Sequence, residues 1–298
     1  MNSKEKRLGT KAQIRAIKEK EKRIAMAIFL ALILIVVAFS SYLLYSFLSQ
    51  SQKQSLIEPS LQFIPPNPNP QLKAAIVDHL SLTSPNQTFI DTAASILVNA
   101  NYTVDYFSGE KVTVEFYRNL PAYNYALIIL RVHSAAAALQ GKEYVEAPVC
   151  FFTSEPYSQY EHVPQQLDDQ LVIASYSMPQ PPYYFGIMPK FVTSSMNGRF
   201  RNTTVIMMGC EGLNNTKMAE AFIQKGAKAY IGWKGAVSAS HTDKATTRLL
   251  QHLITEKQTT NQAIDNTMKE VGPDPSYKSL LIYYPLEVGE QTIENIKR

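Results

Sequence analysis

Two cysteines in 298 residues, Cys150 and Cys210, exclude a scaffold built from disulfides. The chain also lacks a glycine-rich phosphate loop of the dinucleotide or Walker type, which removes the common nucleotide-binding motifs. His241, Asp243 and His252 do not have the spacing of a zinc site, and the sequence implies no metal and no cofactor. A spread-out basic surface is absent as well. The net charge is +4, yet residues 1–23 alone hold nine Lys/Arg against three Glu. The remainder carries 20 basic and 22 acidic residues, so the basic pI belongs to the tail and no nucleic-acid partner is indicated.

Charge is absent altogether from Ile24 to Leu48. Twenty-five helical residues at a rise of ~1.5 Å exceed the ~30 Å of a bilayer's hydrocarbon core. The sequence therefore predicts one transmembrane helix at 24–48, with Tyr42, Tyr45 and Phe47 at the far interface. The basic tail directly before the span makes the N-terminus cytoplasmic and the rest extracytoplasmic. The tail also suits anionic lipid headgroups. A cleaved signal peptide is the alternative, but the run is longer than such segments and Leu-Tyr-Ser-Phe-Leu-Ser is a poor cleavage site. Sequons at Asn86, Asn101, Asn202 and Asn214 agree with an exterior glycoprotein.

Residues 49–71 read as a linker, polar and then stiffened by Pro65-Pro66-Asn67-Pro68-Asn69-Pro70. From 72 to 298 apolar runs alternate with helical periodicity. Strands are expected at 74–77, 102–107, 125–132, 204–208, 229–233 and 279–284. Helices are expected at 86–100, 112–120 (ended by Pro121), 216–224, 240–256 and 260–270. That alternation predicts a mostly parallel six-stranded sheet with helices on both faces. Residues 135–201 read as an insertion, a hairpin plus a lid, with strands near 144–152 and 171–175. Ser240-x-x-Asp243 reads as a capping box.

Ligands of open α/β sheets bind at the carboxyl ends of strands. There the sequence places Asp78-His79, His133-Ser134, Gly209-Cys210-Glu211-Gly212 and Trp233-Lys234-Gly235. If the first, third and fourth strands are neighbours, His133 and Cys210 face one crevice. An imidazole beside a thiol favours the thiolate, the nucleophilic form of cysteine. Gly209 permits a sharp turn before Cys210, and backbone N–H groups there suit an oxyanion hole. Asp78, Gly209, Glu211 and Trp233 are the candidate substrate-binding positions. For Asp78 a solvated loop acid or a helix cap is the plainer reading, for Trp233 packing, and a Cys150–Cys210 disulfide would remove the nucleophile.

A hydrophobic strand ending in His, followed by a hydrophobic strand ending in Cys, resembles the clan CD cysteine peptidases, which include caspases, legumains, clostripain and gingipains. Ala227–Trp233 (AKAYIGW) looks like the fifth strand of gingipain-type domains. The resemblance spans about residues 73–285. It implies a caspase-like three-layer sandwich and peptide-bond hydrolysis, with His133 as general base and Cys210 as nucleophile. Ser134 stands where the family usually has Gly after the His, and Gly209 where it often has Ala before the Cys. The expected partners are a peptide or protein substrate and membrane lipid. A caspase-fold binding or scaffold module without activity is the alternative, and a solute- or sensor-type ectodomain is a third.

Overall fold

The computed structural model describes residues 56–296 except 68, 71, 138–145 and 178–179, together with Lys20, Lys22, Met26 and residues 28–42. The chain divides into two units, Met1–Ser55 and Leu56–Arg298. In the first, residues 28–42 are helical. Large apolar side chains are exposed all round that helix, among them Phe29 at 62%, Leu34 at 69% and Val36 at 62%. Among the described residues no helix is long and apolar enough to cross a membrane. Much of the expected span, including 43–48, and most of the basic tail lie outside the described residues.

The second unit is a mixed α/β domain with two sheets. The strands, in chain order, are β1 Leu61–Phe63, β2 Leu72–Asp78, β3 Tyr102–Ser108, β4 Leu127–Arg131, β5 Ser134–Ala136, β6 Val149–Pro156, β7 Leu171–Ala174, β8 Tyr184–Ile187, β9 Thr203–Met207, β10 Ala227–Trp233 and β11 Leu281–Tyr284. The large sheet has seven strands in the order β1-β3-β2-β4-β9-β10-β11. Its five central strands are mutually parallel, and the edge strands β1 and β11 pair antiparallel. All six expected main-sheet strands are present. The seventh, β1, lies inside the segment read as a linker.

The central strands carry almost only apolar residues because both faces are covered. Successive side chains of a strand point to opposite faces, and each face has its own core. Ala75, Val77, Ile128, Leu130, Val205 and Met207 pack on one side with Phe107, Phe116, Tyr117 and Phe222. Ala74, Ile76, Ile129, Ile206 and Ile231 pack on the other. Three helices cover this second face: α1 (Gln87–Asn99), α2 (Ala239–Leu250) and α3 (Thr260–Val271). Phe89, Ala93 and Leu97 of α1 and Leu249 of α2 supply the contact. Asn86 caps α1 by accepting the Phe89 N–H at 3.1 Å. Truncating a buried phenylalanine such as Phe107 to alanine costs about 3–5 kcal/mol.

Two local expectations are corrected. Ser238 precedes α2 as its cap residue, not Ser240, and its hydroxyl and N–H both donate to Asp274, at 2.6 and 2.9 Å. Burial pushes the Asp274 carboxyl up, but the hydrogen bonds from Ser238, Tyr277 and Ser276 outweigh it and hold the group at about 2. Asp243, the other half of the expected box, points inward to Arg131. The α-helix Val114–Asn119 ends just before Pro121 as expected, and Pro121 sits in the first turn of a following 3-10 turn, Leu120–Tyr123, where a missing N–H is harmless. The insertion is not a hairpin with a lid. It is a second sheet, wholly antiparallel, in the order β5-β6-β8-β7. Val149, Phe151, Phe185 and Ile187 of this sheet join the first core, whereas Cys150, Phe152 and Ala174 form a small cluster of their own.

Candidate functional site

The strand order puts β2, β4 and β9 side by side, as the site expectation required. β4 and β9 pair in parallel, from Leu127 with Thr204 to Leu130 with Met207, and the Met208 N–H extends the ladder to the Leu130 carbonyl. His133 and Cys210 each lie three residues beyond the last pair of this register. The two loops touch there: Ser134 Oγ donates to the Cys210 carbonyl at 2.5 Å. Gly209 is required at this approach, since a Cβ would overlap the Val132 carbonyl oxygen and the Ser134 hydroxyl.

Each member of the pair has its own immediate partner. Thr83 Oγ1 and His133 Nε2 share a 2.7 Å hydrogen bond. The His133 ring also lies 4.7 Å from that of Tyr176, 5.8 Å from His79 and 6.1 Å from Phe152. Burial and then the Arg131 charge hold the His133 pKa below its ordinary 6.5. His79 is fully buried, and its Nε2 meets the Tyr176 hydroxyl at 3.2 Å. Burial first, and then His133, lower the His79 pKa to about 4. Both imidazoles are therefore neutral at pH 7.

Cys210 is a half-buried free thiol. Its sulfur accepts the Val237 N–H at 3.4 Å and faces the Val237 carbonyl at 3.5 Å. Burial raises its pKa from the ordinary 9.0, although Val237 works the other way. At rest the proton sits on sulfur, and a base must remove it before the sulfur can attack. Cys150 is a free thiol as well, buried in β6 with its pKa pushed up to about 12 by burial.

The other expected positions take internal roles. Asp78 is 1% exposed, and its carboxylate accepts from Arg131 Nη1 at 2.7 Å and the Tyr106 hydroxyl at 3.2 Å. It is neither a solvated acid nor free for a substrate. Trp233 is fully buried and its indole N–H donates to Thr242 at 2.9 Å. Glu211 is 5% exposed, holds a left-handed φ of 61°, and donates its N–H to the Gly235 carbonyl at 2.8 Å. His241 Nε2 meets the Gly272 carbonyl and His252 meets Glu256. Among the described residues, the metal-ligand side chains within reach of one ion are Glu155, Glu161 and His162, which include neither member of the pair. Asn86, one of the sequons, gives its amide to Asp243.

Arg131 was missed from the sequence. It is fully buried at the end of β4, two residues before His133, and joins Asp78 on β2 to Asp243 on α2. Nε and Nη2 bond the Asp243 carboxylate at 2.7 and 2.9 Å, and Nη2 also bonds the Ser84 carbonyl at 2.8 Å. The signal was present: a lone cation inside the apolar run YALIILRV requires a buried anion. The network ties the His133 loop to the segment that carries Thr83. The sequence matches no protein-family model and no curated protein.

Proposed function

We propose that this chain is a cysteine peptidase of the clan CD kind, a caspase- or gingipain-like enzyme, in which His133 is the general base and Cys210 the nucleophile. The observation that supports the reading is the β4–β9 register, which pairs Leu130 with Met207, so that His133 and Cys210 follow the ends of two adjacent strands. The electrostatics agree with it. A neutral imidazole is ready to accept a proton, and a protonated thiol has one to give. Attack of the thiolate on a peptide carbonyl gives a tetrahedral oxyanion. Its collapse expels the amine, which takes the proton from His133, and leaves a thioester that water hydrolyses. On this reading the oxyanion is stabilised by backbone N–H groups of the Gly209–Cys210 turn.

The dyad must close for this chemistry. The imidazole has to exchange Thr83 for the thiol, a movement of the sort that substrate binding produces. We further propose that the enzyme is anchored by residues 24–48 with its domain extracytoplasmic. The apolar side chains exposed around residues 28–42 support this, because in water such a surface has no favourable partner. Peptide libraries incubated with the full chain, followed by mass spectrometry of the products, test the activity. Cleavage is expected from the parent, with a loss of at least about a hundredfold in both Cys210→Ala and His133→Ala. Equal product from the parent and Cys210→Ala would remove the reading and leave the binding-module alternative.

A further inference from the structure

The second sheet has two faces with different fates. Val149 and Phe151 of β6 enter the main core, while the alternate residues Cys150 and Phe152 point the other way. That second face borders a cavity of about 680 Å³, within the size range of ligand sites. Its walls include Ala135, Cys150, Phe152, Val172, Ala174 and Tyr176, and among the described residues no charged side chain lines it. Two of these residues also surround the candidate base: the rings of Phe152 and Tyr176 lie 6.1 and 4.7 Å from that of His133. The cavity thus begins where the proposed chemistry ends.

The backbone offers a way in. β5 leaves His133 directly, forms one wall, and is an edge strand of its sheet. The Phe152 N–H reaches the His133 carbonyl and the Ala137 N–H the Pro148 carbonyl. In an antiparallel pair the bonded positions alternate, so Ser134 and Ala136 direct their N–H and C=O groups to the outer edge. An extended peptide adds to such an edge as a further strand, with alternate side chains on one face. Three successive alanines, Ala135–Ala137, keep that wall low.

We propose that this cavity is the subsite for a bulky apolar side chain, such as Phe or Leu, of an extended peptide laid along β5 toward Cys210. This rests on the peptidase reading and gives its substrate class. It replaces the acidic subsite expected at Asp78, whose carboxylate is held by Arg131. A charged side chain in this cavity would lose its water and meet no counter-ion among the described lining residues, which sets the preference.

The test uses the full chain with Cys210→Ala, so that binding is read without turnover. Fluorescent hexapeptides of Ala and Ser carry one Phe, Leu, Asp or Arg at each position in turn, and Kd is read by polarisation. At one position Phe and Leu should bind at least about tenfold tighter than Asp or Arg. Ala135→Asp, which puts a charge on the Cys150 face, and, separately, Tyr176→Ala should each abolish that preference at an unchanged melting temperature. Tyr176 is 38% exposed, so its variant decides the matter if Ala135→Asp does not fold. Absence of an apolar preference at every position would overturn the proposal. So would a preference that survives the substitutions, or binding of a fluorescent fatty-acyl probe without binding of any peptide. Cleavage by the parent is scored separately. Apolar-selective binding without cleavage keeps the subsite and removes the peptidase; cleavage with no apolar selectivity does the reverse.

Discussion

Arg131 carries more of the local architecture than any other side chain near the candidate pair. A guanidinium with no exposed surface is tolerable only because Asp78 and Asp243 share it and Ser84 takes a further N–H. Arg131→Met keeps the length and apolar stem but leaves two carboxylates buried and unpaired. Chemical denaturation should show a loss of about 3–5 kcal/mol. A loss under about 1 kcal/mol would mean that the acids find solvent when the cation is removed. The candidate pair itself was legible in the sequence, because both residues end apolar runs and that position has meaning in a parallel sheet. The partners Thr83 and Tyr176 were not. They come from distant loops, and the pattern of one strand says nothing about which loop folds over it. Trp233 and Asp78 look functional in a list of strand-end residues, and only packing reveals that the indole serves Thr242 and the carboxylate serves Arg131.

At the scale of elements, the strands that were easiest to read are those buried on both faces. Continuous apolar runs at β2, β4, β9 and β10 follow from coverage above and below. The second sheet was opaque for a related reason. One of its faces meets the core and the other a cavity, so its short strands lack the clean apolar–polar alternation of a half-exposed sheet. β6 also loses register between Phe152 and Pro156. β1 was hidden by the polar and proline-rich sequence around it, yet Leu61–Phe63 pairs with β3, and Gln62 donates to Asp105 at 2.6 Å. Upstream, the Ile57 N–H donates to the Tyr123 hydroxyl at 2.8 Å, and that hydroxyl donates to the Ile57 carbonyl at 3.1 Å. A chain beginning at Leu56 should therefore melt as one cooperative unit. A chain beginning at Leu72 bares the β3 edge, and should melt several degrees lower and self-associate on size-exclusion chromatography. Equal behaviour of the two would show that β1 contributes nothing to the domain.

For the whole molecule, charge and hydropathy divide along the sequence rather than over a surface. The tail holds the basic excess, the apolar run follows, and the α/β unit from Leu56 is close to neutral. On the membrane proposal, alkaline carbonate should leave the full chain in the membrane pellet while a chain beginning at Leu56 stays in the supernatant. Release of the full chain by carbonate would contradict an integral anchor. The central claim, a working pair of His133 and Cys210, is open to a direct measurement because the chain has only one other cysteine, and that one is buried. The measurement is the rate at which a peptidyl chloromethyl ketone, whose peptide takes the substrate's place, alkylates Cys210, followed by peptide mass spectrometry at pH 7.5 in the parent and in His133→Ala. Burial holds the thiol protonated, so a base that takes its proton should accelerate the reaction, and His133→Ala should slow it by about a hundredfold. Because the His133 pKa lies below 6.5, the parent should keep this advantage down to pH 6.5 and lose it as the imidazole is protonated on further acidification. Equal alkylation rates with and without His133 would contradict the account.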